Sequence, residues 1–492
     1  MPNIDSGLQI DSSYANALEG MYVSFKGDLA PKPQLVKLNR ALADELGLAV
    51  DKLEEAQLAA LLSGGNVPLG GAPLAQAYAG HQFGGFSPQL GDGRALLLAE
   101  VIDKKSARRD IHLKGSGRTI FSRGGDGKAV LGPVLREYLL AEAMHSLGVP
   151  TTRALAVVST GETIMRTQPL PGAVLARVAK SHIRVGSFQF LAARGNTKKL
   201  TALAEYTLAR HFPNIQDTAN RYLKLLTQVC ERQAFLVAKW MSVGFVHGVM
   251  NTDNITISGE TIDYGPCAFL DVFDPSIAFS SIDTQRRYAY AKQPSMALWG
   301  LTRFAETLLP LIDQDETRAV ELVTVVLNDF EAAYQRQWLI CMRAKLGLQT
   351  AQSDDVTLIN KLLTLMVEDE VDFTHLFRAL SGLLVDNETA LNLFKNKAAF
   401  QQWQLLWLER LADEPIAIDE RSLLMRNVNP MYIPRNHLVE EVISAAEQEG
   451  DFKPFEKLLE VLDKPFTKRE GLSRFAQAAP ESFGDYATFC GT

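Results

Sequence analysis

The chain has 492 residues, 47% of them hydrophobic and 22% charged, with a formal net charge of −7. That balance is ordinary for a soluble globular protein with a sizeable core, and the length allows two or three domains. The acidic net charge argues against a dedicated nucleic-acid binder, which carries a basic face. Four cysteines (Cys230, Cys267, Cys341, Cys490) are too few for a disulfide scaffold. The start lacks a basic stretch followed by an apolar one, and no run of about 18 apolar residues occurs. The expectation is a cytoplasmic protein with no membrane partner and reduced thiols.

In chain order, residues 36–62 read as helix and the Gly- and Pro-containing stretch 63–73 as loop. From 74 to 130 the sequence is glycine-rich, with strand-length apolar runs at Ala95–Val101 and Ile111–Lys114. Val134–Leu147 has helical periodicity and stops at Gly148, with Pro150 beyond. Leu155–Ser159 and Thr163–Thr167 read as two strands turned at Gly161. Residues 219–243 form a long helical pattern ending at Gly244. Ile255–Ser258 and Thr261–Ile262 suit a hairpin across Gly259, and from about 295 to 465 nearly everything reads as helix.

The most informative stretch is His247-Gly-Val-Met-Asn-Thr-Asp253-Asn254, followed nine residues later by Asp263-Tyr264-Gly265. A protein kinase reads His-Arg-Asp, four residues, Asn, and further on Asp-Phe-Gly. Here the outer positions are kept, but the catalytic Asp position holds Val249, which accepts no proton. An acid reappears at Asp253. Asn254 and Asp263 offer the hard oxygen atoms that Mg²⁺ takes, with Mn²⁺ as an alternative.

Upstream, Lys114 ends a strand-like run and Glu137 lies in the next helix, the order of the kinase Lys–Glu pair. Singly, each is more often a solvated surface residue; together, in that order and ahead of the His247–Asp263 cassette, they read as partners. Gly91-Asp-Gly93-Arg94 can bring backbone N–H groups to phosphate oxygens, although alone it is the pattern of an ordinary turn. Gly115–Lys128, containing Asp126 and Gly127, suits a phosphate-binding loop or a plain surface loop. Arg177, Lys180, His182 and Arg184 form a basic cluster that is either a solvated face or, given Val178, Ile183, Val185 and Phe188 among them, partly buried against anions. No zinc motif and no G-x-S-x-G elbow occurs.

With these motifs in place the sequence resembles the selenoprotein O family, the bacterial YdiU-type proteins, which are kinase-like and transfer AMP. The resemblance rests on Ala77-Tyr-Ala-Gly-His-Gln-Phe-Gly84, Leu113-Lys-Gly-Ser-Gly-Arg118, Gly124-Gly-Asp-Gly127, Glu142-Ala-Met-His145 and Pro150-Thr-Thr-Arg-Ala-Leu155. It continues in His247–Asn254, Asp263-Tyr-Gly-Pro266 and Asn429-Pro-Met-Tyr-Ile-Pro-Arg-Asn436. Ile120, where a Pro is common, is a departure outside the site positions.

The resemblance implies an α+β, protein-kinase-like two-lobe fold. Residues 1–73 would be an N-terminal extension, 74–170 the N-lobe, 171–295 the C-lobe core, and 296–492 a helical region with a redox-capable tail. It implies ATP phosphates at Gly91, Gly93, Arg94, Lys114, Asp126, Gly127, Arg177 and Arg184, with Asp263 serving both nucleotide and metal. Asn254 and Asp263 would ligate Mg²⁺, Asp253 would be the general base, and Glu137 would orient Lys114. The implied activity is AMP transfer from ATP to Ser, Thr or Tyr hydroxyls of proteins, with the nucleotide reversed relative to a kinase. Cys490 matches the family's redox residue, so a Cys267–Cys490 disulfide is one expectation and two free thiols the other. A kinase-type phosphotransferase and an inactive ATP-binding scaffold stay open as alternatives.

Overall fold

The computed structural model describes residues 3–383 and 388–488. Its first half builds a nine-stranded sheet. The seven strands along the main path are β1 (Tyr22–Ser24), β2 (Gln34–Leu38), β3 (Leu74–Gln76), β4 (Ala95–Ile102), β5 (Arg108–Lys114), β6 (Arg153–Met165) and β7 (Pro169–Ala179). They run in the order β1-β3-β4-β5-β7-β6-β2, with neighbours antiparallel. Short strands at Ile10–Asp11 and Ala129–Val130 pair with β4 and β7.

Side chains alternate across a strand, so the sheet has two faces with different tasks. One face carries Leu96, Leu98, Ile111, Leu113, Leu155, Val174 and Val178. It buries them against helices α1 (Arg40–Leu46) and α2 (Glu55–Leu62) through Leu42, Leu46, Leu58 and Leu61. The opposite face, with Leu97, Val157 and Leu175, packs on helix α3 (Leu131–Ser146) and the rest of the core. Helix α3 tolerates Pro133 because the ring falls in its first turn, where backbone N–H groups lack intrahelical partners. Gly148, at φ 73°, follows its end.

Helix α4 (Arg221–Val243) buries Leu225, Leu226, Val229, Cys230, Ala234 and Val237 and ends at Gly244, whose φ of 73° is the left-handed C-cap that glycine favours. The chain then makes a two-residue strand, Phe245–Val246, paired with Ala268–Phe269. Everything between these strands, residues 247 to 267, is thereby held as a loop beneath the sheet. From Gln293 to Leu462 the elements are helices. No helix among the described residues is long and apolar enough to cross a membrane.

The structure corrects several local expectations. The stretch 36–62 is not all helix, because Gln34–Leu38 pairs with β6 and the helix starts only after Asn39, whose side chain accepts from Leu42 N. Tertiary pairing here overrides helical periodicity. Gly161 is not a hairpin turn: β6 runs through it at φ 76°, with a register irregularity between Ser159 and Thr163, and turns at residues 166–168. The hairpin across Gly259 does not form. Instead, Thr256 bridges to Arg184 and Thr261 to Thr151, so each arm pairs with a different segment. The division expected at 170/171 falls inside β7, and residues 22–38 add two strands to the sheet. Cys490 lies outside the described residues. Cys267 is buried, and burial pushes its thiol up to about 12.

Candidate active site

The site grows from the pleat of β5. Asp110, His112 and Lys114 share the face opposite Ile111 and Leu113, so three polar groups point away from the apolar layer and each requires a partner. Lys114 Nζ lies 2.5 Å from Glu137 Oε2 on α3 and 3.0 Å from Asp263 Oδ1. Arg177 stands opposite His112 in the β5–β7 register. Its Nη1 is 3.1 Å from Glu137 Oε1 and 2.6 Å from Asp263 Oδ1. Arg184 Nη1 lies 3.9 Å from Asp263 Oδ2 and donates to the Asp253 carbonyl at 3.1 Å.

Arg177 and Arg184 are therefore buried, not a solvated face, and His182 with them, while Lys180 points to solvent. Burial by itself would raise the Asp263 carboxyl, but Arg177, Lys114 and Arg184 outweigh it and hold the group well below the usual carboxylate range. Three cations pair with two carboxylates, Glu137 and Asp263, while Asp92 acts on Arg177 and Arg184 from farther off, and Arg94 and Arg123 add positive charge along the cleft for an anionic ligand. Asp263 also sits at φ 59°, an uncommon left-handed conformation for a residue other than glycine.

The loop beneath carries the second half of the site. His247 is buried and its Nε2 meets the Ile262 carbonyl at 3.0 Å, which ties the loop's start to the residue before Asp263. Asn254 Nδ2 donates to the Val249 carbonyl at 3.0 Å. Val249 thus contributes its backbone to the loop and no acid to the cleft. Asp253, in the short turn Thr252–Asn254, partly faces the cleft. Its Oδ1 is shut off from water without a hydrogen bond, while Oδ2 accepts from Gln82 Nε2 at 3.3 Å. Burial pushes this carboxyl up to about 6, against the lowering pull of backbone and Arg184.

A hairpin of Gly80–Gln82 and Gly85–Ser87 locks this loop in place. His81 N donates to Thr252 Oγ1 at 2.7 Å and Phe83 N to Asn251 Oδ1 at 3.1 Å. Gly80, Gln82 and Tyr78, over whose ring Arg184 lies at 4.2 Å, were not singled out as site residues from sequence. The signal was present, since all three lie in the 77–84 motif, but a Tyr, a Gly and a Gln carry no chemistry legible without their neighbours.

Between the halves lies a cleft of about 490 Å³. It brings together Gly91, Gly93, Arg94, Lys114, Asp126, Gly127, Arg177, Asp253, Asn254 and Asp263, while Glu137 and Arg184 stand behind it and act through their partners. The glycines serve close packing. A Cβ at Gly91 would strike the Phe121 ring at 2.4 Å, and one at Gly93 the Phe121 carbonyl at 2.8 Å, so the 115–128 loop can lie directly on the turn. Asp126 is held by Arg166 at 2.7 and 3.1 Å. Arg166, Arg123 and Lys128 also line the cleft and extend its positive wall.

The donor set fits a hard divalent cation. With its amide nitrogen spent on Val249, Asn254 keeps its carbonyl oxygen for a ligand, and Asp263 is held ionised. Among the described residues no three His, Cys, Asp or Glu side chains cluster as a metal cage. The Asn254 and Asp263 oxygens suit Mg²⁺, which is usually held by one or two side chains together with phosphate oxygens and water.

Three relatives place the chain. It is 54% identical over 486 residues to the Protein nucleotidyltransferase YdiU of Cereibacter sphaeroides, covering 98% of this chain and 99% of the relative. It is 53% identical over 490 residues to that of a Mycobacterium species (99% and 100%), and 52% over 488 residues to that of Rhizobium rhizogenes (99% and 97%). The chain is an enzyme of the nucleotidyltransferase class. A family model described as Protein adenylyltransferase SelO matches residues 6–463, and the chain belongs to this family.

Proposed function

We propose that this enzyme is a kinase-like two-lobe protein that transfers AMP from ATP to Ser, Thr or Tyr hydroxyls of other proteins, with Mg²⁺ and a reversed nucleotide. The observation that carries this reading is the pairing of Val249, where a kinase has its base, with a cleft-facing Asp253 four residues later.

In a kinase the γ-phosphate meets the acceptor. Here the β- and γ-phosphates would lie against Lys114 and Arg177, with Arg184 adding its charge from behind them, and these cations are fixed before the ligand arrives. That leaves the α-phosphate toward Asp253. The acceptor hydroxyl gives its proton to Asp253 while its oxygen bonds to the α-phosphorus. The bond from that phosphorus to the α,β-bridging oxygen breaks, and pyrophosphate leaves. A base near 6 is ionised at neutral pH yet still basic enough to take the proton in the transition state. Asn254 and Asp263 would hold the metal, which when bound neutralises phosphate charge. Glu137 orients Lys114 and Arg177, and Gly91, Gly93, Arg94, Asp126 and Gly127 form the turn and loop over the nucleotide.

Parallel incubation with α-³²P-ATP and γ-³²P-ATP tests the reading. Label is expected on protein from the α-position and not the γ-position. Label from the γ-position alone would establish a kinase, and label from neither an inactive scaffold.

A further inference from the structure

Three buried polar residues at the back wall of the cleft, which Asp92 lines and His112 and His182 stand behind, have no role in the reaction described above. They form a chain that ends on Arg177. Arg177 Nε donates to His112 Nδ1 at 3.3 Å, and His112 Nε2 lies 3.2 Å from Asp92 Oδ2. Asp92 Oδ2 also accepts from Gln76 N at 2.9 Å, and the Asp92 carbonyl accepts from Thr119 Oγ1 at 2.6 Å. Asp92 is the residue between Gly91 and Gly93. The His182 ring stacks on His112 at 4.2 Å and is pinned in turn by Asp110, 3.2 Å from its Nδ1.

The protonation pattern follows from the donors. A guanidinium can only donate, so His112 Nδ1 must carry a lone pair and Nε2 the proton, which points at Asp92. The ring is fully buried and burial disfavours its charged form. Protonating Nδ1 would set an N–H against Arg177. The neutral ring is therefore a one-way connector: it accepts from the arginine and donates to the carboxylate.

Arg177 would be poorly fixed without it. Nη1 takes both Glu137 and Asp263, but one nitrogen alone lets the guanidinium plane pivot. The bond from Nε to His112 supplies the second point. Nη2 makes no protein hydrogen bond among the described residues, and Arg177 lines the cleft. We propose that His112 and Asp92 are positioning residues that lock the Arg177 guanidinium to the Gly91–Gly93 turn, so that both sides of the phosphate site move as one body. This inference rests on the reading of Arg177 as a phosphate contact.

Two substitutions separate positioning from bulk. In His112→Asn the amide oxygen sits near the former Nδ1 and can still accept from Arg177. In His112→Gln the terminal amide reaches the former Nε2 position, and nothing accepts from Arg177. Both lose similar packing, so a merely structural role predicts equal effects. We expect His112→Asn to keep its KM for ATP within about threefold of the wild type. His112→Gln should raise it about 10- to 100-fold, the loss of a hydrogen bond to a charged group, with AMP affinity changed far less. Combined with Arg177→Ala, His112→Gln should add little to the single Arg177→Ala effect. Equal effects of the two His112 variants, or additivity with Arg177→Ala, would overturn the proposal.

Nitrogen-15 shifts of the His112 ring in the unaltered enzyme give a reading that needs no variant to fold. The proposal requires an unprotonated Nδ1 and a protonated Nε2, and the opposite tautomer refutes it. Failure of AMP transfer itself would show differently, as absence of α-label on protein with the His112–Arg177 coupling in ATP affinity intact.

Discussion

Gly80 packs against the carboxylate of Asp253, so closely that a Cβ at position 80 would stand 2.7 Å from Oδ1 and 3.1 Å from the Asp253 Cβ. The two are 173 residues apart in sequence, and the contact forces one of them to yield if the glycine is replaced. Gly80→Ala should turn Asp253 partly out of place and lower the rate of transfer about 10-fold or more, up to the roughly 10²–10⁴-fold that a general base contributes. ATP affinity should change little. Steady-state kinetics with a fixed acceptor protein checks this, and an unchanged kcat would show that Asp253 can be displaced without consequence.

Asp263 and Asp253 should separate cleanly on substitution. Asp263→Ala removes the carboxylate shared by Lys114 and Arg177 and the anionic oxygen assigned to the metal. Transfer should be abolished and Mg²⁺-dependent ATP binding weakened. Asp253→Ala should cost about 10²–10⁴-fold in rate with a much smaller loss of ATP binding. Calorimetric titration of both variants with ATP and Mg²⁺ decides it, and equal losses of affinity would remove the division of roles.

Charge reversal at Arg177 or Arg184 should lower affinity for ATP more than for AMP, because both cations are assigned to the β/γ end. Stability should fall as well. Arg184→Glu would set a carboxylate against Tyr78 and the Asp253 carbonyl, and Arg177→Glu would face Glu137 and Asp263. Competitive binding of the two nucleotides and a melting curve are the measurements. Parallel loss for ATP and AMP would make these residues either structural or contacts of the α-phosphate.

The raised carboxyl of Asp253 gives a pH dependence with a definite sign. Below about 6 the group is protonated and accepts no proton, so kcat/KM should rise with pH and level off above that value. The folding effect has the opposite sense. A carboxyl raised from its ordinary 3.8 binds its proton more tightly when folded, so its ionisation subtracts stability as pH climbs from near 4 to about 6. Asp253→Asn should remove that part of the pH dependence of melting. An acid limb of kcat/KM near 4 would show that the group is not desolvated in the working enzyme.

The C-terminal region reaches the site through Arg136, one residue before Glu137. Arg136 Nη1 donates to Tyr486 Oη at 2.9 Å, Nη2 donates to the Cys267 carbonyl, and Tyr486 in turn donates to Glu440 at 2.6 Å. Glu447 accepts from Gly132 N at 2.8 Å, at the start of the same helix. Tyr486→Phe should lower stability by about 1.5–3 kcal/mol, because its hydroxyl bonds two charged groups. It should also reduce transfer several-fold by loosening the helix that carries Glu137. Thermal melting and rate assays of the variant check both, and a melting loss without a rate effect would confine Tyr486 to stability.

Residue type and spacing determined much of this enzyme. The His247–Asn254 loop with its displaced acid and the end of α4 at Gly244 are local patterns, because each depends on neighbours within a few residues or on one element's periodicity, and the Lys114–Glu137 order follows from a strand and the next helix in the chain. The sequence equally marked Arg177 and Arg184 as basic residues among apolar ones, but left open whether they face water. Only the tertiary structure decided that, since burial of a guanidinium depends on whether Glu137, Asp263 and the Asp253 carbonyl converge on it from distant segments. The same holds where strand pairing won over local pattern. Gln34–Leu38 became a strand because β6 offered an edge, and the arms beside Gly259 paired with Arg184 and Thr151 instead of each other. Gly80 beneath Asp253, and His112 between Arg177 and Asp92, lie wholly on the tertiary side. Their meaning is a distance between residues far apart in the chain, and no single residue carries it.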